Sequence, residues 1–267
     1  KPTARGGLDR RRGLRPTAAM RTWTALLVSL AACGGSSKST LGNYATGEPA
    51  GPAPTVSWKG ELPADGGSFD ITGLPAVADD GSAVVLDLSR DDAGRGYPNL
   101  EVVTIDRADK KLDGVVVVDA DQVEASNAPI DVTAVNQHLA ETNAARRWRP
   151  LAATEVQADQ KGDPCEGVRW ADSWLASRDG VTVHFDRAAR VRIEAGGKAV
   201  VDQTMTGWLA PDHPMYDGAG PDEVCSNPIV LDGVYLDARR HLALLVIGYQ
   251  GTDTCWEPDT QWHVVTW

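Results

Sequence analysis

What this chain lacks narrows its possibilities first. Its longest apolar stretch, Trp23 to Ala32, is ten residues, half of the about 20 that a bilayer-spanning helix needs. No G-x-S-x-G, H-E-x-x-H, P-loop or G-x-G-x-x-G occurs, so the reaction classes those motifs carry have no footing here. There is no C-x-x-C and no closely spaced His pair, which argues against a zinc centre. The five histidines, at 138, 184, 213, 241 and 263, are scattered, and nothing implies a metal or a cofactor. Phenylalanine is scarce, with two against nine tryptophans.

What is present starts with an address. Arg21 precedes the apolar stretch, which closes on Leu30-Ala31-Ala32-Cys33 and is followed by Gly34-Gly35-Ser36-Ser37. That order resembles the lipobox of a bacterial lipoprotein signal peptide. The resemblance implies cleavage before Cys33, lipid on its sulfur and new amino group, and stable attachment to a membrane by several acyl chains. It places the protein in the cell envelope, facing periplasm or exterior. Residues 1–19 carry six basic residues against one acid and read, with the signal, as an upstream segment over 1–32. Residues 33–57 are rich in Gly, Ser, Thr and Pro and read as a flexible tether. A single globular domain is expected over 58–267.

From residue 33 on, 19 basic residues face 36 acidic ones, a formal charge of −17. So acidic a surface repels phosphate backbones, and no cationic stripe with interleaved aromatics is present, which excludes nucleic acid as a partner. Three further cysteines follow Cys33: Cys165, Cys225 and Cys255. Ile229–Leu236 and Leu242–Tyr249 read as a β-hairpin. Folding them about the Ala238/Arg239 midpoint brings Cys225 within three positions of Cys255, so a Cys225–Cys255 disulfide is expected in an oxidising compartment.

The domain reads as mainly β: antiparallel hairpins forming a sandwich or a short propeller-like body. Ser82–Leu88, Leu100–Ile105, Asp113–Val118, Val181–Phe185, Val191–Glu194 and the 229–249 hairpin have strand character. Asp80-Gly81, Asp113-Gly114 and Asp179-Gly180 are turn pairs that accept positive φ. Val115–Val118 and Leu242–Ile247 are apolar at successive positions, which predicts strands covered on both faces. One amphipathic helix is expected over 131–147, with Val132, Val135 and Leu139 on one face and Asp131 as its cap. The segments Pro75–Val85 and Trp174–Phe185, with Asp-Asp-Gly and Arg-Asp-Gly ahead of an apolar run, are similar to the turn-and-strand unit of TolB-type β-propeller blades. That resemblance implies an interaction platform and covers under a tenth of the chain.

Candidate sites are few. His213 lies among Asp212, Asp217, Asp222 and Glu223 without the spacing of a calcium loop, which reads as a solvated acidic segment. Asp119, Asp121 and Glu124 form a second acidic cluster that capping and solubility explain. Exposed tryptophans stack on sugar faces, whereas buried ones replace phenylalanine as bulky core residues. Trp170, Trp174 and Trp208 are the set to examine for ligand binding. The reading that follows is a non-enzymatic binding or envelope-associated module for a protein or glycan partner, held on a membrane through its lipid. The alternative is an exported hydrolase acting on envelope glycan or peptide through clustered carboxylates.

Overall fold

The computed structural model describes residues 51–61, 63, 67–89, 97–126, 128–159, 171–208, 229–248 and 260–267. Strands β1 (Thr55–Lys59) and β2 (Ser68–Thr72) form a ribbon. A meander follows: β3 (Ala76–Val77), β4 (Ala83–Leu88), β5 (Leu100–Asp106) and β6 (Lys111–Val118). Helices α1 (Ala120–Ser126) and α2 (Thr133–Arg146) lead to β7 (Arg149–Pro150), which pairs with β3. Short strands β8 (Ala153–Thr154) and β9 (Val156–Ala158) come next. A second meander runs through β10 (Ser173–Arg178), β11 (Val181–Asp186), β12 (Arg190–Ala195) and β13 (Lys198–Thr204). The last set is β14 (Val230–Asp237), β15 (Leu242–Gly248) and β16 (Thr260–Thr266). Every pairing among the described residues is antiparallel, and the body is mainly β and sandwich-like.

The strands form three larger sheets: a first sheet in the order β6-β5-β4-β3-β7, a middle sheet β16-β15-β14-β8, and a last sheet β13-β12-β11-β10-β9. Side-chain alternation along each strand decides how they stack. In β15, Leu242 and Leu244 pack with Val77, Val84, Leu86, Val103 and Ile105 of the first sheet. Their neighbours Ala243, Leu245 and Ile247 pack with Val183, Phe185, Val191 and Ile193 of the last sheet. The middle sheet is therefore the filling between two others, as the doubly apolar run predicts. The first sheet is also covered twice, because Ala76, Val85 and Val102 face Val135 and Leu139 of α2, Trp148, and Val56 of β1.

Turn chemistry closes the hairpins. Gly81 (φ +71°) follows Asp80, whose Oδ1 accepts the Ser82 N–H at 2.9 Å. Asp179 and Gly180, at φ +52° and +76°, make the two-residue loop of β10–β11, the left-handed pair that suits strand twist. Asp106 and Asp186 each accept two backbone N–H groups of their own turns, from residues two and four positions on.

Several expectations need correction. Asp113-Gly114 is not a turn: both residues lie within β6, opposite Thr104 and Val103, and the chain reverses earlier at 107–110. Val115–Val118 is not covered on both faces. β6 is the edge strand of its sheet, only its α2 side is packed, and Val116 is 39% exposed. The segment read as a tether over 33–57 ends in strand, because Thr55–Ser57 belong to β1 and Val56 is buried. Asn136 holds Val56 from both sides, accepting its N–H (2.9 Å) and donating to its carbonyl (2.8 Å). The helix begins at Thr133 with Val132 in the cap position. Asp131 acts one residue earlier, and hydrogen bonding from the Thr133 side chain and then from its backbone N–H lowers the pKa of its carboxyl. The β14–β15 register centres on Arg239/Arg240, one residue later than expected. Helix α1 was not anticipated; Asp119 and Gln122 cap it reciprocally, side chain to backbone, at 2.8 and 3.2 Å, the capping-box arrangement.

Candidate functional site

The most concentrated chemistry among the described residues is an ionic node where the first and middle sheets meet. Asp79 precedes the Asp80-Gly81 turn, and because Asp80 satisfies that turn, the Asp79 carboxylate is left to point inward. Its Oδ1 accepts from Arg149 Nε and Arg240 Nη2, both at 3.2 Å, and Arg147 Nη1 lies 3.9 Å from Oδ2. The Asp79 backbone is tied as well, its N–H to the Arg146 carbonyl (3.0 Å) and its carbonyl to Arg240 Nε (3.1 Å). Arg240 continues to Asp237 at 2.6 Å. Arg107 donates to the carbonyls of Gly81 and Arg240 at 3.1 and 3.2 Å. Three turns and the end of α2 are thus joined through guanidinium forks, whose planar donors suit multiple acceptors.

A second cluster lies on β16. Asp109, at φ +61° in the β5–β6 turn, places Oδ2 2.7 Å from His263 Nδ1 and accepts the Val264 N–H on Oδ1 at 2.7 Å. Trp208 stacks on the imidazole, ring centroids 4.1 Å apart and 14° from parallel. Nδ1 is held by the carboxylate, and Nε2 is buried with no hydrogen-bond partner among the described residues. The pair latches the first sheet to the exposed edge of the middle sheet, and Asp109 occupies a backbone donor that would otherwise invite another strand.

A third cluster comprises Asp87, Tyr235 and Trp262. Tyr235 and Trp262 stack with centroids 5.8 Å apart. Burial pushes the Asp87 carboxyl up, and burial and then the Asp87 charge push the Tyr235 phenol up. A carboxyl whose folded pKa is raised binds its proton more tightly in the native state. Stability therefore falls as pH rises from the unfolded carboxyl range through the higher folded value. Asp87→Asn is expected to remove that part of the fall. Urea midpoints measured for variant and parent from pH 3 to 7 should diverge in the variant's favour as pH rises, and parallel curves would refute it.

The residues singled out by sequence fall differently. Trp174 is buried in the core between the middle and last sheets, 5.7 Å from Phe185. Trp208 is buried beneath its stack with His263. Neither offers an open face for sugar stacking, because each fills the volume a phenylalanine would otherwise occupy. Trp170, Cys33, Cys165, Cys225, Cys255 and the acidic segment around His213 lie outside the described residues. His184 faces solvent on β11. Among the described residues no three His, Cys, Asp or Glu converge as a metal site. Sequence reading missed the Asp79 node and the Asp109–His263 pair. The one signal for the first was a second aspartate before a turn glycine that needs only one. The second joins residues 154 apart in sequence and left no local trace.

Compared with known proteins, the chain matches no family model, no curated protein and no solved structure. The fold and site define it as a layered, all-antiparallel β protein with an arginine-centred junction, and similarity adds nothing to that description.

Proposed function

We propose that this is an exported lipoprotein, anchored through Cys33, whose β body serves in the cell envelope as a non-enzymatic binding module for a protein or glycan partner. The observation that carries the reading is the order of Arg21, the apolar core to Ala32, Cys33 and the Gly/Ser spacer. Two features of the body support it. Gly51, 14 residues beyond that spacer, is held on the framework, with Asn143 Nδ2 donating to its carbonyl at 3.3 Å. The last sheet also keeps an open polar face, on which Leu175, His184, Arg192 and Asp202 stand directly opposite one another across four strands. An open row of charged and polar side chains ending on Leu175 suits a macromolecular surface, whereas small substrates are held in concave sites.

The hydrolase alternative finds less support. Asp119, of the acidic cluster Asp119, Asp121 and Glu124, caps α1. His263, oriented by Asp109 as a general base would be, has its second nitrogen buried, with no hydroxyl or thiol on it among the described residues. The test is radiolabelled palmitate fed to a bacterial host expressing the full chain. Label should enter the wild type and be lost in Cys33→Ser. An unlabelled wild type would overturn the reading.

A further inference from the structure

The arginine-bearing end of the body lies where the tether arrives. Gly51, the first described residue, is bound by Asn143 in the last turn of α2, and Asn143 also accepts the Trp148 N–H at 2.9 Å. From there the chain runs back along the helix to Val56 at Asn136. The tether therefore reaches the body beside Arg146 and Arg147. The Asp79 node continues that site across Arg107 and Arg240 to the β14–β15 turn.

We propose that this end docks on an anionic lipid bilayer, so that the anchored body stands on the membrane in one orientation. The proposal rests on the lipoprotein reading and adds the surface that faces the headgroups. Charge supplies the argument. In a body with a formal charge of −17 from residue 33 on, this end is locally cationic. Arg107, Lys110 and Arg239 are exposed and Arg146 and Arg147 half-buried, against an exposed Asp80 and two half-buried acids, Asp106 and Asp109, the latter paired with His263. Asp79 and Asp237 face inward onto Arg240. Arg107 donates to two backbone carbonyls, those of Gly81 and Arg240, so no carboxylate in these contacts offsets its charge.

Reach supplies the second part. Residues 33–50 are 18 residues rich in Gly, Ser and Thr, a covalent length of at most about 60 Å. The field of an anionic leaflet fades over about 8 Å at physiological ionic strength. The anchor thus keeps the body close enough to sample the surface continually, and the distant acidic faces are screened. Each basic residue brought to such a surface improves binding by a factor of about five.

The test uses the full lipidated chain in vesicles of phosphatidylcholine alone, or of phosphatidylcholine and phosphatidylglycerol in equal parts. Flotation reports the anchor, and amide hydrogen exchange reports the docked face. Backbone amides at 79–82, 106–110 and 238–241 should exchange about tenfold more slowly on the anionic vesicles and revert at high salt. Lys110→Glu/Arg239→Glu should abolish that protection and leave flotation unchanged. Neither side chain has a hydrogen bond or ion pair among the described residues, so the fold should tolerate both changes. Flotation with both vesicles but equal exchange on each overturns the docking and leaves the anchor standing. Protection that appears on both compositions and grows with protein density indicates a second copy and also overturns it. Failure to float on either removes the lipoprotein reading itself.

Discussion

Asp79→Ala is expected to destabilise the folded body by about 3–5 kcal/mol, the loss typical of removing one partner from a buried ion pair. The side chains of Asp79 and Arg240 are 8% and 9% exposed, so water cannot take over the carboxylate's role. Its loss leaves Arg240 with the Asp237 carboxylate and the backbone carbonyl of residue 79, and deprives Arg149 of a 3.2 Å acceptor. Three guanidiniums would then repel one another at the seam between two sheets. Equilibrium urea unfolding of the two proteins gives the difference directly. A double-mutant cycle with Arg240→Ala separates the pairwise part from local strain. A loss below about 1 kcal/mol, the range of exposed pairs, would show that solvent reaches the node and that the junction is not electrostatic.

Trp148→Ala should lower stability by a comparable amount, about 3–5 kcal/mol, through the large cavity left behind. Trp148 is fully buried between α2 and the first sheet. Its Nε1 donates to Thr142 Oγ1 at 3.1 Å, and its backbone N–H to Asn143 Oδ1 at 2.9 Å. Arg146 lies over the ring, 5.7 Å from its centroid. Trp148→Phe should recover a large part of the loss, because most of the volume returns and Thr142 keeps its hydroxyl donor role to the His138 carbonyl. Thermal unfolding of the three proteins would check the ranking. Near-equal midpoints would mean that α2 moves in to fill the space, which close-packed cores allow only partially.

Much of the fold was legible in single segments. The run Leu242–Ile247 has no polar position, so it announces a strand with a core on each side, and both cores exist. Val115–Val118 carries the same signal and is an edge strand, because an apolar run does not state how many sheets lie beyond it. Asp179-Gly180 reads as a two-residue loop and is one, since φ is positive at both positions. Asp113-Gly114 reads the same way, yet pairing with β5 carries both residues as strand. For the tryptophans, size alone fixed neither burial nor exposure. Trp174 and Trp208 became core once neighbouring strands closed over them.

The amino-acid order alone determined the acidic balance, the β character and the position of the main helix. Those are local properties, set by composition, side-chain period and turn chemistry within a few residues. Only the tertiary structure decided that Asp79 meets arginines from α2's end and from a hairpin 161 positions away, and that Asp109 meets His263. Such contacts depend on how sheets stack, and stacking is fixed by the sum of many apolar faces rather than by any residue that takes part in the contact.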